Sequence, residues 1–182
     1  MRYGWARTGA VLAMAAALAA CGRGGAPVMD QEAADNLRAA GFFMASNARA
    51  EGVRSLPSGI QYKVTQSGPP GGESPDGNDL VRVDYAGALT DGTVFDSSFE
   101  RGQPAVFTVE EGMSGSIIPG MREALQHMSV GDEWTVYIPP ELGYGDRASG
   151  PIPPNSVLIF RLKLLDIART PGGTTVIDTA HG

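Results

Sequence analysis

Few side chains in the sequence combine a reactive group with a spacing suited to covalent or metal chemistry. The chain of 182 residues has one cysteine, Cys21, and two histidines, His127 and His181, whose separation matches no metal-ligand spacing. No Ser/His/Asp motif of a nucleophilic hydrolase is visible. The acidic stretch 76–79 lacks the alternating ligands and the distal glutamate of a calcium loop, and it indicates a turn. The sequence therefore predicts no metal, no cofactor and no covalent intermediate.

The acid that most invites a functional interpretation is Asp96, which directly follows Phe95. A carboxylate beside an apolar cluster needs either a partner or a task. The structural alternative is a turn in which Asp96 accepts hydrogen bonds from the backbone of Ser97 and Ser98. Aromatic residues that alternate with polar ones, such as Tyr85, are equally typical of ordinary core packing. Residue type alone leaves both interpretations open.

Composition and charge argue against two classes of protein, helical bundles and nucleic-acid-binding proteins. The chain has 25 glycines and 13 prolines, which indicates a turn-rich folded protein rather than a helical bundle. These residues concentrate in three connections, residues 67–77, 112–120 and 139–154. In the last two, apolar residues form either a binding surface or a cap on the core. The formal charge is −6 and no Lys/Arg cluster occurs, so we expect no nucleic-acid partner.

Two kinds of hydrophobic period point to an α+β fold. Residues 30–51 have helical spacing, with Asp30 as the expected N-cap and Gly52 as the stop. From Pro57 onward the period is two, which predicts half-buried strands of an antiparallel sheet around residues 60–64, 81–85, 106–109, 133–138 and 158–165. Residues 121–128 predict one short helix that covers the apolar face of this sheet.

The amino-terminal helix needs a surface to pack against, because an isolated helix of this length is marginal. Its apolar face is expected to pack within the chain, and contact with a second copy is the alternative, so we expect a monomer or a weak dimer. The residues of this face are Leu37, Gly41, Met44 and Ala48, together with Phe42 or Phe43.

The first twenty residues are typical of a secretory signal. Arg2 and Arg7 precede an apolar run over residues 10–20 that is too short to span a bilayer. The run ends at residues 18–22 (LAACG), which resemble the lipobox of bacterial lipoproteins. We therefore expect Cys21 to be lipidated and to anchor the mature chain to the membrane; a cleavage site with an incidental cysteine is the alternative.

Six short motifs follow one another between residues 83 and 156: residues 83–87 (VDYAG), 91–98 (DGTVFDSS), 117–121 (IIPGM), 128–131 (MSVG), 138–145 (IPPELGYG) and 152–156 (IPPNS). In this order they resemble the FK506-binding-protein family of peptidyl-prolyl cis-trans isomerases. Residues 42–64 are also similar to the segment that precedes the catalytic domain in the macrophage-infectivity-potentiator type of bacterial envelope members.

The resemblance implies a curved antiparallel sheet wrapped around the short helix, and a pocket that binds proline-containing polypeptides. It implies catalytic positions at Tyr85, Phe95, Asp96, Ile118, Tyr144 and Phe160, and substrate-binding positions at Phe107, Ile117, Met121 and Ile152. In the family the backbone N–H at the Ile118 position and the hydroxyl at the Tyr144 position donate to substrate carbonyls. Met121 and Ala105 replace aromatic residues of many members, so we expect macrocycles of the FK506 and rapamycin type to bind with reduced affinity.

The expected organisation is a signal peptide (1–20), a lipidated cysteine with a tether (21–28), a helical segment (29–56), an isomerase domain (57–168) and a tail (169–182). The resemblance implies a folding catalyst for extracytoplasmic proteins, held at the bacterial cell envelope, on the periplasmic face of the outer membrane. A non-catalytic chaperone or binding module that uses the same groove is the alternative function.

Overall fold

The computed structural model describes residues 31–110 and 117–170, which form seven strands and three helices. The helices are α1 (Gln31–Asn47), α2 (Ser98–Arg101) and α3 (Pro119–His127), with a 3-10 turn at Pro140–Leu142. The strands are β1 (Arg54–Ser55), β2 (Gln61–Gln66), β3 (Leu80–Ala88), β4 (Val94–Ser97), β5 (Ala105–Thr108), β6 (Glu133–Ile138) and β7 (Leu158–Ala168). The predicted signal peptide, Cys21, the Asp30 cap, His181 and the tail from residue 171 lie outside the described residues.

All seven strands join one antiparallel sheet in the order β1-β2-β6-β7-β3-β4, and β5 pairs with the first half of β3. The predicted period of two is confirmed most clearly in β7, where Leu158, Phe160, Leu162 and Leu164 are buried. β3 and β6 alternate in the same way. The buried residues of these three strands form the face against which the short helix packs, so the predicted α+β architecture is confirmed.

Helix α3 covers the centre of this face. Met121, Ala124 and Leu125 are buried at helical spacing, as expected for an amphipathic helix on a sheet. Gly120 allows the close approach, because a Cβ atom there would lie 2.4 Å from Cγ2 of Ile138 in β6. The helix starts at Pro119, two residues before the predicted start, since proline is well suited to a first helical turn.

Helix α1 is shorter than predicted and buries a different face. It ends at Asn47 rather than at residue 51, because the chain then turns through tight bonds such as Ala50 N–H to Asn47 O (2.9 Å) before entering β1. Ala33 and Ala40 are its buried residues, whereas Leu37 is 46% exposed and Phe42 is 79% exposed. The predicted apolar face therefore borders an open groove. The helix packs within the chain through Ala33, Ala40 and the half-buried Phe43, whose ring centroid lies 6.1 Å from that of Tyr137. Among the described helices, none has the length and apolar character needed to cross a bilayer.

The predicted turn in the acidic stretch is present at residues 77–78. The side chain of the fully buried Asp79 organises this turn, because its carboxylate accepts from the N–H of Asp76 (2.9 Å) and of Thr170 (3.3 Å). Arg169 donates to the same carboxylate at 2.5 Å. The last described residues are thus tied to the entrance of β3.

Candidate functional site

An open cavity of about 300 Å³ lies between the sheet and the amino-terminal end of α3. Strands β3, β4, β5 and β7 contribute aromatic residues, and β4 also contributes Asp96. Helix α3 contributes Met121, and the segments before α3 and after the 3-10 turn contribute the other lining residues. Nine of the ten residues predicted for the pocket line this cavity: Tyr85, Phe95, Asp96, Phe107, Ile117, Ile118, Met121, Tyr144 and Phe160.

Four aromatic rings make up the apolar wall. The ring centroids of Tyr85 and Phe107 are 5.6 Å apart, and those of Tyr85 and Phe160 are 6.4 Å apart. Phe95 meets Phe160 edge to face at 5.6 Å, a favourable arrangement of two ring quadrupoles. The cross-strand register explains this cluster, because Gly87 of β3 lies opposite both Phe160 and Asp96 and its lack of a side chain leaves room for the rings.

The residues at the floor of the cavity are buried, whereas the residue at its mouth is exposed to solvent. Met121 and Phe160 are 3% and 4% exposed, so they can form an apolar floor. Tyr144 is 40% exposed, which leaves its side chain accessible at the mouth. Ile118 is the N-cap of α3, and its carbonyl accepts from the N–H groups of Met121 and Arg122, both at 3.1 Å. The main chain at this wall is therefore held by the helix that it precedes.

Asp96 is the one acid among the described residues that line the cavity, and a network neutralises its charge. The Tyr85 hydroxyl donates to Oδ2 of Asp96, and Nη1 of Arg101 donates to Oδ1. Nη2 of Arg101 also donates to the Tyr85 hydroxyl at 2.9 Å, and the guanidinium lies 5.5 Å from the centre of the Tyr85 ring. Both carboxylate oxygens thus have a side-chain donor. The N–H of Ser97 also donates to Asp96, as the structural alternative expected, although Asp96 stands in strand β4 and not in a turn.

The network shifts the pKa values of its members in opposite directions. Burial would raise the pKa of Asp96, but the donors on Tyr85 and Arg101 outweigh it and hold that pKa below its usual value. Burial and the bond to Asp96 raise the pKa of the Tyr85 phenol. Asp96 therefore stays ionised at neutral pH and is poorly suited to act as a general acid or base.

Arg101 is the site residue that sequence reasoning missed. It reaches Asp96 because α2 begins directly after β4, with the Ser97 hydroxyl accepting from the N–H of Glu100 at 3.2 Å. Gly102, with φ of 66°, then ends the helix after a single turn. The pattern Ser-x-x-Glu at residues 97–100 is a capping signature, which predicts that a helix begins after Ser97. Because a helix that begins there turns the chain back toward Asp96, this pattern was the available sequence signal for Arg101.

Ile152 is the predicted pocket residue that the structure does not bring to the cavity. Its side chain is 4% exposed and belongs to the hydrophobic core. A reciprocal pair of bonds with Ser149 (2.9 and 3.0 Å) closes a tight turn that directs Ile152 inward. Ile152 therefore contributes to the core and not to the lining of the cavity.

Within residues 31–110 and 117–170, no group of three or more His, Cys, Asp or Glu side chains is arranged to hold a metal ion. His127, the last residue of α3, is exposed, and its Nδ1 lies 2.9 Å from the carbonyl oxygen of Glu123. His127 is therefore a surface residue at the carboxyl end of α3.

Family models and a solved structure of known proteins match most of the described chain. Residues 71–165 match the family model described as FKBP-type peptidyl-prolyl cis-trans isomerase, and residues 11–64 match the model described as the domain amino terminal to FKBP-type peptidyl-prolyl isomerase. A crystal structure of FkpA from Escherichia coli superposes with a TM-score of 0.71 at 38% identity, covering 79% of this chain and 64% of that chain.

Two curated relatives show the extent of the similarity. The FKBP-type peptidyl-prolyl cis-trans isomerase FkpA of Aeromonas hydrophila is 42% identical over 140 residues, covering 77% of this chain and 50% of the relative. The outer membrane protein MIP of Legionella longbeachae is 41% identical over 141 residues, covering 77% of this chain and 58% of the relative. The chain thus spans between half and three-fifths of the length of these relatives.

Proposed function

Since the chain belongs to the family of FKBP-type peptidyl-prolyl cis-trans isomerases, we propose that it accelerates rotation about X–Pro bonds in polypeptides. The observation that carries the proposal is the cavity of about 300 Å³, in which four aromatic rings and Met121 surround a space open at Tyr144. Its size and its apolar lining suit a proline ring, and its open mouth leaves room for the chain on either side.

The chemistry required of such a site is non-covalent. Rotation about a peptide bond faces a barrier of about 18–20 kcal/mol because resonance gives the C–N bond partial double-bond character. The twisted amide has lost this resonance and its carbonyl is less polarised, so an apolar cavity favours it over the planar, charge-separated ground state. A hydroxyl donor at Tyr144 and the N–H of Ile118 would add hydrogen bonds that hold the substrate carbonyls in the twisted geometry.

The Asp96 network fits this mechanism as an electrostatic element. An ionised carboxylate whose oxygens are both occupied adds little desolvation cost to the cavity, because Tyr85 and Arg101 already compensate its charge. Its remaining field acts on the carbonyl dipole of the substrate, which changes during rotation. Asp96 therefore requires no proton transfer to contribute.

A protease-coupled assay with an X-Pro tetrapeptide tests the proposal. We expect the wild-type chain to accelerate isomerisation, and we expect Phe95→Ala and Tyr144→Ala to remove most of the acceleration with the circular dichroism spectrum unchanged. Phe42→Ala is the matched control, since Phe42 is 79% exposed on α1, away from the cavity. A well-folded wild-type chain without acceleration would leave the non-catalytic chaperone or binding module as the function.

We further propose that the chain is attached to the cell envelope through a lipid on Cys21, with proline-containing extracytoplasmic polypeptides as substrates. The lipobox-like residues 18–22 support the anchor, and the name of the Legionella relative, an outer membrane protein, supports the location. Growth with an alkyne fatty acid should label the wild-type chain but not Cys21→Ser, and only the variant should leave the membrane fraction. Equal labelling of both chains would contradict the anchor.

A further inference from the structure

Helix α1 is joined to residues 154–155 by two asparagine side chains. Nδ2 of Asn155 donates to the carbonyl oxygen of Ala33 in α1 at 2.9 Å, and Nδ2 of Asn36 donates to the carbonyl oxygen of Pro154 at 2.9 Å. Asn155 is 7% exposed, so its amide forms this bond in a buried environment. The two bonds run in opposite directions across the same joint, and together they fix the spacing between α1 and residues 154–155.

The hydrogen bonds of this joint act beside the packing of Ala33 and Ala40, which are 8% and 5% exposed. A cavity of about 200 Å³ also lies at the joint, and Asn36, Phe43 and Asn155 are among the residues that line it. Such a space deprives the joint of some of the close contacts that hold a well-packed interface. The polar links therefore add a directional constraint on the position of residues 154–155 relative to α1.

The main chain of Asn155 carries this constraint to the mouth of the proposed active site. The N–H of Asn155 donates to the carbonyl oxygen of Gly145 at 2.7 Å, and the N–H of Gly145 donates to the carbonyl oxygen of Pro140 at 2.9 Å. Tyr144, which lines the cavity, lies inside the loop closed by these bonds. A continuous chain of hydrogen bonds thus leads from Ala33 of α1 to the residue beside Tyr144.

The residue type at this position satisfies two separate demands. Among the described residues, Asn155 is the only non-glycine with a positive φ, at 55°, a conformation that asparagine tolerates better than most residues. Its side chain supplies the donor that reaches Ala33. Glycine would meet the first demand and not the second, which makes the two demands separable by mutation.

We infer that Asn155 is a positioning residue through which helix α1 holds Tyr144 in the geometry that substrate binding requires. The inference rests on the proposed isomerase function, since its kinetic consequence is expressed through Tyr144. Loss of the side-chain link would allow the 140–145 loop to sample other positions, and the apparent affinity for substrate would fall with the fraction of molecules whose Tyr144 is in place.

The test compares Asn155→Gly with Asn47→Ala in the full chain. Asn155→Gly keeps the positive φ and the main-chain bond to Gly145 but removes the link to Ala33. Asn47→Ala removes an asparagine amide bond of the same length at the other end of α1, from Nδ2 of Asn47 to the side-chain Oε1 of Gln61 (2.9 Å). Both variants weaken the attachment of α1, but only the first acts on the segment bonded to Gly145.

We expect Asn155→Gly to lower kcat/KM about fivefold, the effect of one lost hydrogen bond, mainly through a higher KM. General destabilisation would instead lower kcat at unchanged KM, because fewer molecules would be active. In a Tyr144→Phe background, Asn155→Gly should have no further effect on kcat/KM, and Asn47→Ala should stay within about twofold of its parent in either background. Additive losses from Asn155→Gly and Tyr144→Phe would overturn the inference.

Hydrogen exchange supplies a readout that does not depend on activity. Amides in residues 140–147 should exchange faster in Asn155→Gly than in wild type, and at the wild-type rate in Asn47→Ala. Faster exchange together with an inactive wild type would support the coupling and refute only the isomerase function. Unchanged exchange would refute the coupling whatever the kinetics. If Asn155→Gly does not fold, Asn36→Ala removes the partner link from a half-buried position and should raise exchange in the same loop.

Discussion

The size of the cavity depends on the missing side chain of Gly87, and Gly87→Ala tests this dependence directly. A Cβ atom at residue 87 would lie 2.6 Å from Cε2 and Cζ of Phe95 and 2.7 Å from Cε1 of Phe160. Carbon atoms in contact prefer separations of about 3.5–4.0 Å. Each ring must therefore move by roughly 1 Å, or strand β3 must move away from β7.

Both forms of relief change the cavity, because Phe95 and Phe160 are two of its walls. Overpacking of this kind costs about 1–3 kcal/mol of the free energy of unfolding. A displacement of about 1 Å in groups that position a reacting substrate can lower the rate on the order of 100-fold. We therefore expect Gly87→Ala to lower kcat/KM by roughly 10- to 100-fold.

The assays are the protease-coupled measurement of kcat/KM and urea unfolding of the same samples. The control is the same substitution at Gly41, where a Cβ atom would have no neighbour within 4 Å. Because alanine is a better helix former than glycine, Gly41→Ala should stabilise the fold by up to about 1 kcal/mol and leave kcat/KM unchanged. The two glycine-to-alanine changes should thus move stability in opposite directions.

If Gly87→Ala unfolds at the wild-type urea concentration and retains the wild-type kcat/KM, the cavity does not depend on the missing side chain of Gly87. If the single variant does not fold, Gly87→Ala combined with Phe95→Leu removes the ring atoms responsible for the closest contacts. That double variant should regain part of the stability but not the activity, because it lacks one wall of the cavity.

Three further predictions concern the charged groups and the cavity floor. Burial would raise the pKa of Asp79, but bonds from Asp76, Thr170 and Arg169 hold it below its usual value, so its stabilising effect is present above about pH 4 and is lost as pH falls further. Urea unfolding against pH should show that Asp79→Asn destabilises by about 1–3 kcal/mol at neutral pH and has a shallower acid dependence than wild type; parallel curves would contradict this. Arg101→Gln leaves Asp96 without its cationic partner and should raise the Asp96 pKa, seen by NMR titration, and lower kcat/KM; an unchanged titration would show that Arg101 does not hold the carboxylate. Met121→Trp should tighten binding of FK506 in a calorimetric titration, whereas nanomolar affinity of the wild type would show that the Met121 floor costs nothing.

The regular elements were predictable because they bury one face. The alternation between residues 158 and 164 predicted β7 correctly, and the apolar residues at positions 121, 125 and 128 predicted α3. The predicted α1 extended too far because helical propensity continues past Asn47, whereas the tertiary need to reverse the chain toward β2 ends the helix there. Periodicity also assigned Leu37 to a buried face, although the tighter contact is made by Ala33 and Ala40.

Most of the candidate site came from the family motifs and not from physical pattern. Tyr85 and Phe160 are 75 positions apart in the chain, and only the register of β3 on β7 brings their rings together. Ile152 shows the limit of the motif, because an apolar residue in a proline-bound loop can point toward the cavity or into the core. The local bonds with Ser149 decide between these orientations, and no pattern of residue types reveals them.

The arrangement of charge explains how an apolar cavity can include an acid without becoming a proton-transfer site. Asp96 is placed by β4, Tyr85 by β3 and Arg101 by α2, so the three groups meet only if the chain turns from strand to helix at Ser97. That turn is held by the Ser97 capping bond and by the buried hydroxyl of Ser98, which accepts from the N–H of Tyr85 at 2.8 Å and donates to Asp84 at 3.2 Å. The electrostatics of the wall therefore depend on the bonds that tie α2 to β3. A substitution of Arg101 leaves these bonds in place, so it should alter the ionisation of Asp96 before it alters the shape of the cavity.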